Sequence, residues 1–189
     1  MQKRSGTSGV LLAISLSVFG IFLGLMTLRS RKSLKNKRIS ENFTLGELVR
    51  TDTGLRNVPG SAAVKNLQFV VDNFLQPLRD HFGKPIFVTS GFRSAAVNKA
   101  IGGSKNSQHL KGEAIDFVVR DEPNKKVIDA ARKLGLPFDQ LIDEQLYNIK
   151  GIRRDWIHVS LKRRDNRTEI LTARNTRESP GDVTFTRIA

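Results

Sequence analysis

Residues 107–119, with the sequence SQHLKGEAIDFVV, combine a polar loop that contains a histidine with an apolar run that contains one carboxylate. The run Ala114–Val119 has the length and composition of a buried β-strand. Because a carboxylate in such a strand is unfavourable without a partner, Asp116 is expected to be paired or to bind a ligand. The stretch therefore predicts a core strand whose aspartate belongs to a site, with His109 seven residues before it as a candidate partner.

Residues 156–161, WIHVSL, form a second strand-like run, in which alternate residues are apolar and His158 lies on the other face. Zinc accepts histidine nitrogen and carboxylate oxygen, so His109, Asp116 and His158 would supply three ligands of a catalytic site. Asp155 would then be the base that takes a proton from the attacking water. On spacing alone, ordinary core or solvated residues are the simpler explanation of the same pattern, and both interpretations stay open at this point.

Three sequence blocks occur together in one order. Residues 90–94, SGFRS, match S-G-(F/Y)-R-(S/T); residues 107–116 match S-x-H-x-x-G-x-A-x-D; and residues 155–158, DWIH, match (D/E)-x-x-H. With these separations, residues 43–173 resemble the zinc D-Ala-D-Ala carboxypeptidase family, which includes dipeptidases and phage cell-wall endopeptidases.

The resemblance implies a role for each matching residue. It implies a zinc ion with three protein ligands, namely His109, Asp116 and His158. It implies Asp155 as general base and Arg93 as the group that binds the substrate's carbonyl or carboxylate and stabilises the oxyanion. It implies that Ser107 touches the substrate near the scissile bond. Asp155 and His158 are three residues apart, so a regular strand would place them on opposite faces, and we expect a bend at residues 153–155.

The order of the predicted elements indicates an α+β fold, because helices come first and short strands follow. Thr44 and Glu47 have the spacing of a capping box, which predicts a short helix up to Arg50. A longer helix with one apolar face begins at Ser61, and Pro77 is expected to bend or end it. The resemblance implies the same architecture, a small antiparallel sheet that carries the metal, and we expect the helices on one side of it.

Charge distribution argues against nucleic-acid binding. The net charge is +14, but residues 1–38 hold eight Lys or Arg and no Asp or Glu, so more than half of the excess lies in a short N-terminal region. The rest of the chain has one Tyr and one Trp for base stacking. There are no cysteines, which excludes a disulfide scaffold, a Cys-ligated metal site and thiol catalysis.

The N-terminal region is expected to anchor the protein in a membrane. Residues 10–28 are uncharged and apolar, and as a helix they would span about 28 Å, close to the thickness of a bilayer core. The predicted organisation is a basic N-terminus (1–9), a transmembrane helix (10–28), a basic linker (29–41), a zinc peptidase domain (42–174) and an extended tail (175–189). Gly20 and Gly24 form a G-x-x-x-G motif, which is compatible with a homodimer, although glycine is common in membrane helices.

Two opposing arguments concern the membrane orientation. The six positive charges of residues 29–38 favour a cytoplasmic location for the C-terminal domain. The substrate that the resemblance implies, peptidoglycan, lies outside, and on that ground we expect a single-pass protein with its catalytic domain on the periplasmic, cell-wall side. The expected function is zinc-dependent hydrolysis of peptidoglycan stem peptides, by a D-Ala-D-Ala carboxypeptidase or an endopeptidase, as in phage lysis enzymes. The alternative is a non-catalytic zinc-containing module that binds the cell wall.

Overall fold

The computed structural model describes residues 37–188, which contain five α-helices and six strands. The helices are α1 (Leu45–Leu48), α2 (Ser61–Val70), α3 (Gln76–Phe82), α4 (Ala95–Ala100) and α5 (Asn124–Lys133). A π-helical turn (Val71–Leu75) joins α2 to α3, and a 3₁₀ helix (Gln108–Lys111) precedes the second strand. The strands are β1 (Ile86–Ser90), β2 (Ala114–Val119), β3 (Gln140–Tyr147), β4 (Arg153–Ser160), β5 (Glu169–Arg174) and β6 (Thr184–Arg187).

The strands form a single mixed sheet in the order β1-β2-β4-β3-β5-β6. The α+β class agrees with the prediction, but the sheet is not entirely antiparallel, because β3 and β5 run parallel. The reason lies in the short connection after β4. Since β4 ends opposite Gln140, where β3 begins, the chain reaches the free edge of β3 at the same end, and Glu169 pairs with Gln140.

The long helices pack on one face of the sheet. The ring of Phe74, in the π-helical turn, contacts the ring of Phe117 edge to face. Because residues alternate along β2, Phe117 and Asp116 lie on opposite faces. Asn124, at the start of α5, donates a hydrogen bond to Asp143, which alternation also places on the Phe117 face. The face that carries Asp116 is therefore left to the 3₁₀ helix and the loops around it.

The helical segment does not end at Pro77. It continues to Phe82, where Gly83 adopts a left-handed conformation (φ 62°) that closes the helix. The π-helical turn lies immediately before Gln76, and we attribute the continuation to it, because a wider turn relieves the missing donor and the ring clash of a proline. The capping box of Thr44 and Glu47 is formed as predicted, but α1 stops at Leu48, before Arg50.

Both predicted boundaries of the domain shift outward. Arg38 pairs with Thr44 in an isolated bridge and Ile39 is buried, so the packed region begins within the predicted linker rather than at residue 42. The predicted tail contributes β6, which pairs with β5 at the edge of the sheet. The predicted transmembrane segment, residues 10–28, lies outside the described residues. Among residues 37–188, no helix combines the length and the apolar character that crossing a bilayer requires.

Candidate metal centre

Three elements bring His109, Asp116 and His158 together on the face of the sheet opposite the long helices. Asp116 in β2 and His158 in β4 are direct partners in the antiparallel ladder, so their side chains share a face. The 3₁₀ helix before β2 carries His109 over the same point. One potential ligand atom from each residue lies within 4.8 Å of the other two. His109 and Asp116 are buried and His158 is nearly so.

The carboxylate of Asp116 is the centre of this cluster. Its Oδ1 lies 2.8 Å from Nδ1 of His158 and 3.2 Å from Nε2 of His109. Burial alone would raise the pKa of Asp116, but the two histidines outweigh this effect and hold the pKa well below its usual range. Asp116 is therefore ionised at neutral pH and offers a negative charge between two imidazoles.

The tautomer of His109 indicates that the cluster suits a cation. Nδ1 of His109 lies 2.7 Å from the carbonyl oxygen of Gly91, and because a carbonyl only accepts, Nδ1 carries the proton. Burial lowers the pKa of His109, while Asp116 opposes this effect. With Nδ1 engaged by Gly91, Nε2 is the ring nitrogen that faces Oδ1 of Asp116, at 3.2 Å. One carboxylate with two imidazoles is a donor set that zinc accepts, so the cluster suits a metal ion.

Two glycines of the sequence motifs have steric reasons to be there. A Cβ on Gly91 would lie 2.2 Å from the carbonyl oxygen of Leu48, which already accepts a hydrogen bond from the amide of Phe92. Gly112 has φ +71°, and a Cβ there would lie 2.5 Å from the carbonyl oxygen of Ala63. Both positions set the close packing of the turns beside His109, which explains why these motifs need glycine.

Arg93 lies beside the cluster, next to Asp116. Its guanidinium forms an ion pair with Oδ2 of Asp116, and its Nε donates to the hydroxyl of Ser90 at 2.7 Å. Its backbone amide donates to the carbonyl of His109 at 3.1 Å. Ser107 immediately precedes the 3₁₀ helix, and its carbonyl accepts from the amide of Leu110, so it lies at the edge of the centre.

Asp155 lies away from the cluster. β4 is regular along its whole pairing with β3, so the expected bend at residues 153–155 is not formed, and alternation places Asp155 on the face opposite His158. The carboxylate is 44% exposed and pairs with the guanidinium of Arg153, with Nε–Oδ1 at 2.8 Å. The chain turns earlier than expected, at residues 148–152, before β4 begins. Side chains therefore alternate between the two faces of the sheet along all of β4.

Glu144 is a carboxylate on the face of the candidate ligands that the sequence interpretation did not single out. It pairs with Trp156 in the ladder, two residues along the strand from His158, and shares the face of His158 and Asp116. Within residues 37–188 its carboxylate has no hydrogen-bond partner. Burial raises the pKa of Glu144 to about 7, and the negative charge of Asp116 contributes to this rise. The alternating pattern of β3 indicates that Glu144 lies on one definite face of its strand. Whether that face is the face of His158 depends on the register set by the turn between β3 and β4, which cannot be read from the sequence.

The fold and the cluster define a class. An α+β domain with two histidines and an aspartate in one cluster, an arginine bonded to that aspartate and a further carboxylate on the same face has the groups of a hydrolytic metalloenzyme. The sequence pattern described as Peptidase M15 matches residues 41–160, and the chain belongs to this family. This agrees with the resemblance that the three motif blocks indicate.

One curated relative supports the same assignment. The chain is 36% identical over 96 residues to the zinc D-Ala-D-Ala carboxypeptidase of Streptomyces albus G. The similar region is 50% of this chain and 38% of the relative, so the comparison covers less than half of that protein.

Proposed function

We propose that the protein is a zinc-dependent peptidase that hydrolyses stem peptides of peptidoglycan, as a D-Ala-D-Ala carboxypeptidase or an endopeptidase. The observation that carries the proposal is the cluster of His109, Asp116 and His158, in which one potential ligand atom from each residue lies within 4.8 Å of the other two. Family membership and the name of the relative support both the metal and the substrate class.

The ligand residues would hold zinc, which when bound supplies a Lewis acid for a peptide carbonyl and its attacking water. Glu144 is the general base in this proposal, because it lies on the face of the ligands and is free of hydrogen bonds to residues 37–188. It accepts a proton from the attacking water and returns it to the leaving amine. Asp155, on the other face and engaged with Arg153, is not assigned a part in the reaction.

Arg93 binds the carbonyl oxygen and stabilises the negative charge that develops on it. Its side chain is 16% exposed, and its guanidinium is already oriented by Asp116 and Ser90, so little rearrangement is needed before substrate arrives. Fixed donors of this kind contribute most when they are in place before the reaction. Ser107, at the edge of the 3₁₀ helix, is proposed to contact the substrate beside the scissile bond.

The deciding experiment is incubation of the full chain with muropeptides, with and without zinc, and identification of products by mass spectrometry. Release of D-alanine would show a carboxypeptidase, and cleavage between L-alanine and D-glutamate or of a cross-link would show an endopeptidase. The same reaction after chelation and after zinc return measures the metal requirement. Binding of muropeptides without cleavage would favour the non-catalytic wall-binding module instead.

We also propose a single-pass membrane protein, anchored through residues 10–28, with the domain on the cell-wall side. The support is the apolar length of that segment and the location of the proposed substrate. A phage lysis enzyme is one setting that fits this arrangement. Pairing of the anchors through Gly20 and Gly24 would make a homodimer, which crosslinking of the full chain in membranes would detect.

A further inference from the structure

A buried carboxylate outside the metal centre has an unusual number of partners. Asp139, just before β3, is 0% exposed. Its Oδ1 accepts from the backbone amide of Arg167 at 2.9 Å and lies 3.1 Å from Nζ of Lys162. Its Oδ2 accepts from the guanidinium of Arg167 and, at 3.1 Å, from Nε2 of Gln108. The carboxylate thus connects the segment before β5 to the 3₁₀ helix.

Gln108 makes this connection relevant to the metal centre, because it immediately precedes His109. Its amide group is held at both ends, since the guanidinium of Arg167 also approaches its Oε1 at 3.4 Å. On the other side, the carbonyl of His109 accepts from the amides of Arg93 and Gly112. The turn that carries His109 is therefore fixed from two directions, by backbone bonds on one side and by the side chain of Gln108 on the other.

Packing alone does not explain an ionised group at position 139. Its neighbours Phe138 and Leu141 are buried and apolar, and a buried charge contributes little net stability against an apolar residue of similar size. What a charged hydrogen-bond acceptor adds is geometric specificity. We propose that Asp139 is a positioning residue of the metal centre, which acts through Gln108 to fix the turn that carries His109. This inference rests on the proposed metal site.

The test uses the metal-free full chain, so that it does not depend on zinc or activity. The Nδ1 proton of His109, bonded to the carbonyl of Gly91, is followed by ¹⁵N NMR, and its exchange with water reports how firmly the ring is held. Gln108→Leu and Asp139→Asn are each expected to accelerate this exchange at least about fivefold. The double variant should match Gln108→Leu alone within about twofold, because Asp139 acts through that residue.

Asp143→Asn is the matched control. Asp143 is also buried and ionically bonded, but its partners Asn124 and Arg174 lie away from the His109 turn. It is expected to lower the free energy of unfolding while leaving His109 exchange within about twofold of the parent. Equal acceleration of His109 proton exchange in Asp139→Asn and Asp143→Asn would overturn the proposal. So would a double variant whose acceleration equals the product of the accelerations in Asp139→Asn and Gln108→Leu.

Two further readouts keep the result interpretable. If Asp139→Asn does not fold, Gln108→Leu alone decides, since unchanged exchange in that variant contradicts the proposal. Zinc affinity of Gln108→Leu, measured by calorimetry, is expected to fall by about three- to tenfold, less than the ten- to hundredfold typical of a direct partner of a ligand. A parent chain that binds no zinc would refute the proposed function, and the exchange measurement would still decide the role of Asp139.

Discussion

Comparing Glu144→Gln with Asp155→Asn tests which of the two carboxylates is the general base. Both changes convert a carboxylate to an amide of the same shape, so they differ mainly in location. Glu144 lies on the face of His158, whereas Asp155 lies on the other face and is 44% exposed. We expect Glu144→Gln to lower kcat/KM by about 10²- to 10⁴-fold, the contribution of a positioned base, which corresponds to about 2.7–5.4 kcal/mol of transition-state stabilisation.

Asp155→Asn is expected to keep kcat/KM within about threefold of the parent. It removes a surface ion pair with Arg153, and such pairs contribute about 0–1 kcal/mol to stability. Both variants should retain zinc, because neither side chain is in the ligand cluster. Zinc content is measured by mass spectrometry of the metal, and kcat/KM by chromatography of muropeptide products.

The pH profile gives a second, independent signature. A base acts in its ionised form, and a carboxyl with a pKa of about 7 is ionised in about one molecule in a hundred at pH 5. The activity of the parent should therefore rise with pH along an acidic limb at or below pH 7, since a bound cation lowers the pKa of a nearby carboxyl. Asp155→Asn should keep this limb and Glu144→Gln should lose it.

The opposite pattern would refute the reasoning. If Asp155→Asn lost a hundredfold or more while Glu144→Gln stayed within threefold, β4 would have to rearrange to bring Asp155 to the ligand face. If neither variant lost activity, another group would have to accept the proton, and the free carboxylate of Glu144 would have a different purpose.

Three further predictions concern the ligand set, the buried aspartate and the membrane. His158→Ala should lose most bound zinc, as metal analysis after dialysis would show; stoichiometric zinc in this variant would remove His158 from the ligand set. For Asp139, burial alone would raise the pKa, but bonds from Arg167 and Lys162 hold the pKa below its usual range, so its stabilisation is present above about pH 4 and lost as pH falls. The thermal midpoint of Asp139→Asn should therefore fall less between pH 6 and pH 3 than that of the parent. A periplasm-specific reporter fused after residue 189 should be active if residues 10–28 place the domain on the wall side, whereas activity of a cytoplasm-specific reporter at that position would reverse the orientation.

Much of the candidate metal cluster was accessible from the sequence because its signals are local. The polar residue in each of two apolar runs identifies Asp116 and His158, and strand alternation then places each on a definite face. His109 was found through its motif with Gly112, whose positive φ and contact with the backbone of Ala63 make that spacing a steric requirement. These features depend on a few neighbouring residues, so the sequence contains them.

The parts that were not predicted depend on contacts between distant segments. The parallel pairing of β3 with β5 follows from where β4 ends in the assembled sheet, and no pattern within residues 169–174 distinguishes it from antiparallel pairing. Glu144 lies in the run LIDEQLY, where two adjacent acidic residues alternate between faces. Which of the two lies on the face of His158 is decided by the register between β3 and β4, and hence by a turn five residues long.

That register links the position of Glu144 to the hairpin between β3 and β4. Asn148 accepts hydrogen bonds from the amides of Lys150 and Ile152, and Gly151 takes a positive φ of 68°, so the turn has a defined shape. A slip of one residue between β3 and β4 would leave His158 facing Asp116 but would exchange Glu144 for its neighbour on the opposite face. The proposed ligands Asp116 and His158 are thus held together by the pairing of β4 with β2, whereas the proposed base is placed by the pairing of β4 with β3. A hairpin variant whose register places Gln145 on the ligand face in place of Glu144 should consequently spare metal binding and lower kcat/KM as Glu144→Gln does, because the proposed ligands and the proposed base are set by two separate strand pairings.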